Sequence, residues 1–193
     1  MEETEIRKLN EAEIVSIYNT HMVRDFPANE LIPLDIIIEA GREGGYHGYG
    51  FYRSGVMLGY SFLARIEIPE TAYLADFISI LPEYRSMGYG KIFQKRLLSE
   101  EITDGEYVIC EVEDPGTEND PARKETMLRR IRHHESVGWI DTGVCVTTFG
   151  AEYLLMEYPI REKHDPATVR KIYGEMYRIM LPPHKWNEVV FRN

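Results

Sequence analysis

Between one apolar run and an amphipathic one stands Arg85-Ser86-Met87-Gly88-Tyr89-Gly90, followed by Lys91. These residue types at this spacing suit the holding of a pyrophosphate. A loop that opens onto a helix start aims several backbone N–H groups at one point, where the helix dipole also favours negative charge. The two glycines let the chain turn and let a ligand come close to the backbone. Arg85 adds a permanent cation with a forked set of donors. Carboxylates stand in two strand-like stretches. Asp76 and Ser79 are the only breaks in the apolar run Tyr73 to Leu81. Desolvation there raises a carboxyl pKa toward the range of a general base, although hydrogen bonds from neighbouring backbone or tyrosines explain such a residue equally well. Glu111 and Glu113 alternate onto one face of Tyr107 to Glu113, and a charge on an internal strand is costly to bury. Adjacent His133 and His134 point to different helix faces and neither cysteine shows ligand spacing, so no metal site is expected.

The elements that must position these groups follow from periodicity and punctuation. The run Tyr73 to Leu81 reads as a buried strand stopped by Pro82, which has no N–H for a ladder. Ile92, Phe93, Leu97 and Leu98 then recur with helical spacing. Upstream, Glu5 to Leu9 is a short edge strand, and Asn10 with Glu13 forms a capping box. Ile14, Ile17, Tyr18 and Met22 give that helix its core stripe, and it ends near Phe26-Pro27. A loop through Arg24, Asp25 and Glu30 leads to a second short helix, Leu34 to Ala40, closed by Gly41. Tyr46 to Arg53 and Val56 to Ile68 read as a hairpin across Ser54-Gly55.

Downstream, Tyr107 to Glu113 is a strand with Cys110 in the core. Asp120 caps a helix that starts at Pro121, with Met127, Leu128 and Ile131 inward. Arg123, Lys124, Arg129, Arg130 and Arg132 face outward, either toward phosphates or as an ordinary solvated face. Two strands meet around Phe149-Gly150. Asp165-Pro166 begins a last helix with Val169, Ile172, Tyr173, Met176, Ile179 and Met180 on one stripe. Strands and helices in this sequence imply an α+β or mixed α/β layout, a mostly antiparallel sheet flanked by helices.

At 193 residues and 22.5 kDa, one domain with a proper core and a modest appendage is expected. A net charge of −10 disfavours nucleic acid and anionic membranes, and it favours a cationic small molecule or basic peptide as partner. Cys110 and Cys145 lie in strand-like runs with no signal peptide, the pattern of reduced thiols in a cytoplasmic protein. No apolar run approaches the roughly 20 residues that span a bilayer.

The stretch Ile80-Leu-Pro-Glu-Tyr-Arg-Ser-Met-Gly-Tyr-Gly90 resembles the acyl-CoA signature of the GNAT superfamily, the Gcn5-related N-acetyltransferases. That signature is a strand, then Pro-x-Tyr-Arg and Gly-x-Gly entering a helix. The resemblance covers Glu5 to Ile160 and implies a GNAT domain over 1–160, with 161–193 as a C-terminal helical extension that either docks on the domain or makes a homodimer contact. It implies acetyl-CoA as cosubstrate, no metal, and acetyl transfer to the amine of a small molecule by direct attack. A non-catalytic acyl-CoA-binding module and a peptide or protein N-acetyltransferase are the alternatives. The pyrophosphate is expected on the N–H groups of Arg85, Ser86, Met87, Gly88, Tyr89, Gly90 and Lys91. The pantetheine arm would pair with the strand edge at Ile78 and Ile80 like an added strand, and the Ile80 N–H would face the acetyl oxygen. Asp76 or Glu111 is the expected base, directly or through water. His133-His-Glu-Ser-Val-Gly-Trp139 stands where relatives carry Phe-Tyr-x-x-x-Gly-Phe. His134 thus occupies the position of the tyrosine that protonates the departing thiolate, and histidine is chemically able to do so. Arg24, Glu30 and Tyr153 are the implied acceptor contacts; a solvated loop and partly exposed strand residues account for them as well.

Overall fold

A computed structural model describes residues 4–28 and 30–192. The chain divides into two compact units, Met1–Arg65 with Ala75–Ile102, and Ile66–Leu74 with Thr103–Asn193. Among the described residues, eight strands follow the order β1-β2-β3-β4-β5-β7-β6-β8. They are β1 (Thr4–Lys8), β2 (Tyr46–Arg53), β3 (Val56–Ile68), β4 (Glu70–Ile80), β5 (Tyr107–Glu113), β6 (Ile140–Thr148), β7 (Ala151–Glu157) and β8 (Val189–Phe191). The helices are α1 (Glu11–Ile17), α2 (Val23–Asp25), α3 (Leu34–Arg42), α4 (Tyr89–Arg96), α5 (Pro121–Glu135) and α6 (Pro166–Met180). The expected class, a mostly antiparallel sheet with helices, is the one observed.

In the first unit, β1 lies antiparallel to β2, and β2 to β3. Ser54 and Gly55 join β2 to β3 with φ of 50° and 77°. Two left-handed residues make the mirror-image turn whose twist matches that of the flanking strands. The capping box forms as the spacing predicts: Glu13 N–H donates to the Asn10 side chain at 3.0 Å, and Asn10 N–H to Glu13 Oε2 at 2.9 Å. A π-helical stretch, Tyr18–Met22, joins α1 to α2. Ile14 and Ile17 of α1 and Met22 of this stretch lie in the core, while Tyr18 is half-buried and donates to Ile32 O at 3.1 Å. The second predicted helix runs slightly past Gly41, to Arg42. A stack of Phe51 on Phe93, with centroids 4.9 Å apart and planes 8° from parallel, docks α4 onto β2. An aromatic pair of this kind is worth about 0.5–1.5 kcal/mol beyond its buried area.

In the second unit, β5 pairs with β7, β7 with β6, and β6 with β8, all antiparallel. Asp120 caps α5 by accepting from Ala122 N–H at 3.0 Å, and Asp165 caps α6 through Ala167 and Thr168. Val169, Ile172, Tyr173, Met176 and Tyr177 form the buried stripe of α6. Ile179 of the expected stripe is instead exposed. Residues 161–193 thus supply both this helix and β8, which pairs with β6. No helix among the described residues is long and apolar enough to cross a membrane.

Candidate functional site

The first unit carries the phosphate-loop candidate. Leu81 N–H donates to Leu58 O at 2.9 Å, which keeps the end of β4 against β3. The approach there is close. A Cβ at Gly59 would stand 2.5 Å from Ser79 O and 2.8 Å from Ile80 Cδ1, so β3 needs a glycine at this point. Pro82–Tyr84 forms a 3-10 turn. Ser86 and Gly88 then take φ of 63° and 83°, and Gly88 is the N-cap of α4. The first-turn amides of a helix have no carbonyl within the helix to accept from them, so Gly88 to Lys91 present N–H groups at the end of an eight-residue helix. Ser86, Met87, Gly88 and Lys91 are exposed, while Tyr89 and Gly90 are half-buried. The fully apolar Met87 side chain is 62% exposed, so the loop lies open. Tyr84, Met87 and Tyr89 line one side of a groove of about 360 Å³; Arg53, Ser54, Val56 and Leu58 line the other. Tyr89 OH accepts from Arg53, whose guanidinium also lies 5.8 Å from the Tyr89 ring centre.

Arg85 departs from the expected arrangement. Its Nε donates to Ile80 O at 2.8 Å and its Nη2 lies 3.6 Å from Asp25 Oδ1. The guanidinium ties the loop back to the strand before it, so its fork serves loop shape as well as charge. Asp25 is the centre of a cluster that brings sequence-distant groups together. Its side chain, 6% exposed, accepts from Arg24 Nε at 3.0 Å, Tyr60 OH at 2.9 Å and Ser79 Oγ at 3.2 Å. Burial pushes the Asp25 carboxyl up, but the donors from Arg24, Tyr60 and Ser79 outweigh it and hold the carboxyl below the usual aspartate range. Burial, reinforced by Asp25, pushes the Tyr60 phenol far up, so its proton stays on. Tyr60 has no signal in the sequence beyond its place in an apolar run. Glu30, by contrast, is exposed in the following turn, its N–H donating to Pro27 O at 3.0 Å. Asp76 is half-buried on β4 between Ala75 and Phe77. It faces the Tyr46 phenol, which burial first and Asp76 second keep firmly protonated. Ile78 and Ile80 are half-buried on the same strand.

The second unit carries Glu111, His134 and Tyr153. Glu111 Oε1 accepts from two phenols of α6, Tyr173 OH and Tyr177 OH, the latter at 2.7 Å. Tyr173 OH also meets Thr148 Oγ1 at 2.9 Å. Burial and the Glu111 charge push the Tyr173 phenol well up, so it remains a donor. This carboxylate is thus engaged by the extension rather than exposed on an open strand. His134 Nδ1 lies 2.9 Å from Arg130 O. A carbonyl only accepts, so Nδ1 carries the hydrogen and Nε2 keeps the lone pair in the neutral ring. Burial lowers the His134 pKa, which favours that neutral form. In this state the ring accepts a proton at Nε2; donating one there requires prior protonation. Tyr153 is half-buried on β7, and its carbonyl accepts from Arg192 Nη2 at 3.3 Å. The outward basic residues of α5 are largely paired: Arg130 with Glu113, Arg132 with Glu125, Arg123 with Glu118. The positive face read from the sequence is therefore substantially neutralised.

No protein-family profile matches the sequence, and no curated protein matches it. Solved structures are similar in fold. A candidate GNAT-family acetyltransferase from Bacteroides thetaiotaomicron superposes with a TM-score of 0.71 at 18% identity, over 91% of this chain and 97% of that one. The candidate acetyltransferase yncA from Salmonella typhimurium, solved with its cofactor acetyl-CoA, gives 0.59 at 19% identity, over 85% and 98%. A variant of the spermidine N-acetyltransferase SpeG from Vibrio cholerae gives 0.59 at 16% identity, over 80% and 92%. The fold is that of GNAT acetyltransferases.

Proposed function

We propose that this chain is a GNAT-superfamily acetyltransferase that moves an acetyl group from acetyl-CoA to the amine of a small molecule. The observation that carries the proposal is the Ser86 to Lys91 loop, whose left-handed Ser86 and Gly88 turn the chain into an exposed helix N-terminus. Such a terminus binds phosphate without further machinery. The fold supports the same donor, since a protein of that fold was solved with acetyl-CoA. That another neighbour acetylates spermidine, together with the net charge of −10, supports a cationic small amine as acceptor.

Direct attack in a ternary complex needs three services. The acceptor ammonium must lose a proton, the acetyl oxygen needs a donor as charge develops, and the thiolate must be protonated. Asp76 and Glu111 are the proposed bases, the Ile80 N–H the proposed donor, and His134 the proposed acid. Arg24, Glu30 and Tyr153 are the proposed acceptor contacts. For His134 the acid role works through the imidazolium, formed when Nε2 takes a proton from solvent and then passes it to the thiolate. Glu111 can serve only if its carboxylate exchanges a phenol for water or substrate.

One observation favours the second reading, a non-catalytic acyl-CoA-binding module: both phenols of α6 already occupy Glu111 Oε1. Thiol release from acetyl-CoA, followed with spermidine, aminoglycosides and amino-acid amides in parallel, separates the two. Acceptor-dependent thiol release supports the transferase. Tight acetyl-CoA binding with no release on any amine supports the module.

A further inference from the structure

A second cluster lies in the second unit and shares no residue with those assigned above. His164, Glu106 and Glu162 each offer one ligand atom, and these atoms lie within 4.8 Å of one another. We propose that they form a binding site for a divalent transition ion, Zn²⁺ foremost, that clips the segment before α6 to the start of β5.

The imidazole is already oriented as a ligand. Its Nδ1 bonds to Glu157 Oε1, and the His164 backbone N–H donates to Glu157 Oε2 at 3.1 Å. Glu157 is 1% exposed. An ionised carboxylate only accepts, so the Nδ1 hydrogen points at it and the other nitrogen is left with its lone pair. A carboxylate behind a metal-bound histidine fixes the tautomer and raises ligand basicity in this way. The Tyr107 ring, 4.5 Å away, walls the imidazole on one side. The far nitrogen, Nε2, faces Glu106 Oε1 at 3.8 Å. That is too long for a hydrogen bond, which ends at about 3.5 Å. It is close to the separation a bridging ion requires, because ligand distances of about 2.0–2.2 Å set two tetrahedral ligand atoms roughly 3.3 Å apart. Arg161 Nη1 binds the other oxygen of Glu106, Oε2, at 2.9 Å, which leaves Oε1 toward the histidine. Glu162 is exposed, so it can close on an ion from the solvent side while water takes the fourth position. Imidazole with carboxylates selects Zn²⁺ over Mg²⁺ or Ca²⁺, which prefer oxygen alone. The competing state is an imidazolium held between Glu157 and Glu106 with no ion. The three residues are not grouped by the sequence, because Glu106 is remote along the chain from Glu162 and His164.

The test uses untagged protein stripped with EDTA and dialysed against Zn²⁺, with bound metal counted by mass spectrometry. The expected result is roughly one zinc per chain and a raised melting temperature. His164→Ala and Glu162→Gln should each weaken zinc binding by about tenfold or more, with circular dichroism unchanged. Glu162 is on the surface, so its variant keeps the fold even if the histidine variant does not. Stripped protein that retains no zinc, or a folded E162Q that binds zinc as wild type does, overturns the proposal. The acetyl-donor reading stands or falls separately, since this test reads no acetyl transfer.

Discussion

Arg85 and Asp25 show how single side chains set the shape of the loop proposed to hold the donor. The Arg85 fork reaches Ile80 O and Asp25 at once, and a lysine ammonium has neither the reach nor the planar geometry for both. Arg85→Lys is therefore expected to weaken acetyl-CoA binding by about tenfold in calorimetry, nearly as much as Arg85→Ala. Full affinity in the lysine variant would assign Arg85 a purely electrostatic role. Two depressed pKa values, one of an aspartate and one of a histidine, bear on the pH dependence. Asp25 lies below its ordinary range in the folded protein, so its contribution is complete above about pH 4 and is lost as pH falls through the folded pKa. His134 is also lowered. The unfolded chain takes up that proton first, so stability declines as pH falls below about 6.5 and stops declining below the folded pKa. Melting temperature should therefore drop in two separate acid ranges. His134→Gln should flatten the upper one and Asp25→Asn should shrink the lower, to which other paired carboxylates such as Asp114 also contribute, and the opposite assignment would refute both.

At the scale of elements, local patterns transcribe directly into structure. Ser54-Gly55 marks the hairpin, Asn10 with Glu13 the start of α1, and Asp120-Pro121 and Asp165-Pro166 the starts of α5 and α6. The signals and the bonds they predict lie within a few residues of each other, so no tertiary information is needed. The π-helical stretches Tyr18–Met22 and Leu97–Glu101 were not legible. A 3.6-residue periodicity runs through them, and only packing decides where the extra residue goes. Nor does the sequence announce that Tyr60 meets Asp25 or that Tyr177 meets Glu111, separations of 35 and 66 residues. Such pairs depend on register between elements, and one residue of slip in a strand turns every side chain over. Gly59 is the element-level test of the donor strand. Its missing Cβ would stand 2.5 Å from Ser79 O, a backbone atom that cannot swing aside. Gly59→Ala should cost about 1–3 kcal/mol in denaturant unfolding, and a neutral result would show that β3 and β4 separate more readily than this spacing implies.

Across the whole molecule, the extension is built into the fold of its unit. Tyr173 and Met176 are fully buried, β8 pairs with β6, and two phenols donate to Glu111 Oε1. Removing a donor leaves a half-buried carboxylate short of a partner, at about 1.5–3 kcal/mol for a bond to a charged group. Tyr177→Phe should lose about 2 kcal/mol in chemical unfolding, and adding Tyr173→Phe should cost more, though less than additively, because both act on one oxygen. Unchanged stability in the double variant would mean that water replaces the phenols freely, which would also return Glu111 to service as a base.

The donor loop is the claim on which the functional account depends, and calorimetric binding of acetyl-CoA against acetyl-pantetheine tests it most directly. Acetyl-pantetheine keeps the thioester and the pantetheine amides but lacks the pyrophosphate and the 3′-phosphoadenosine beyond it, so the G88V arm isolates the pyrophosphate. With Gly88 at φ 83° and the first-turn amides of α4 presented to an anion, acetyl-CoA should bind at least about a hundredfold more tightly. Gly88→Val should remove most of that difference, because a β-branched residue resists the left-handed conformation. Equal affinity for the two compounds, or a difference untouched by G88V, would contradict a pyrophosphate on Arg85 to Lys91.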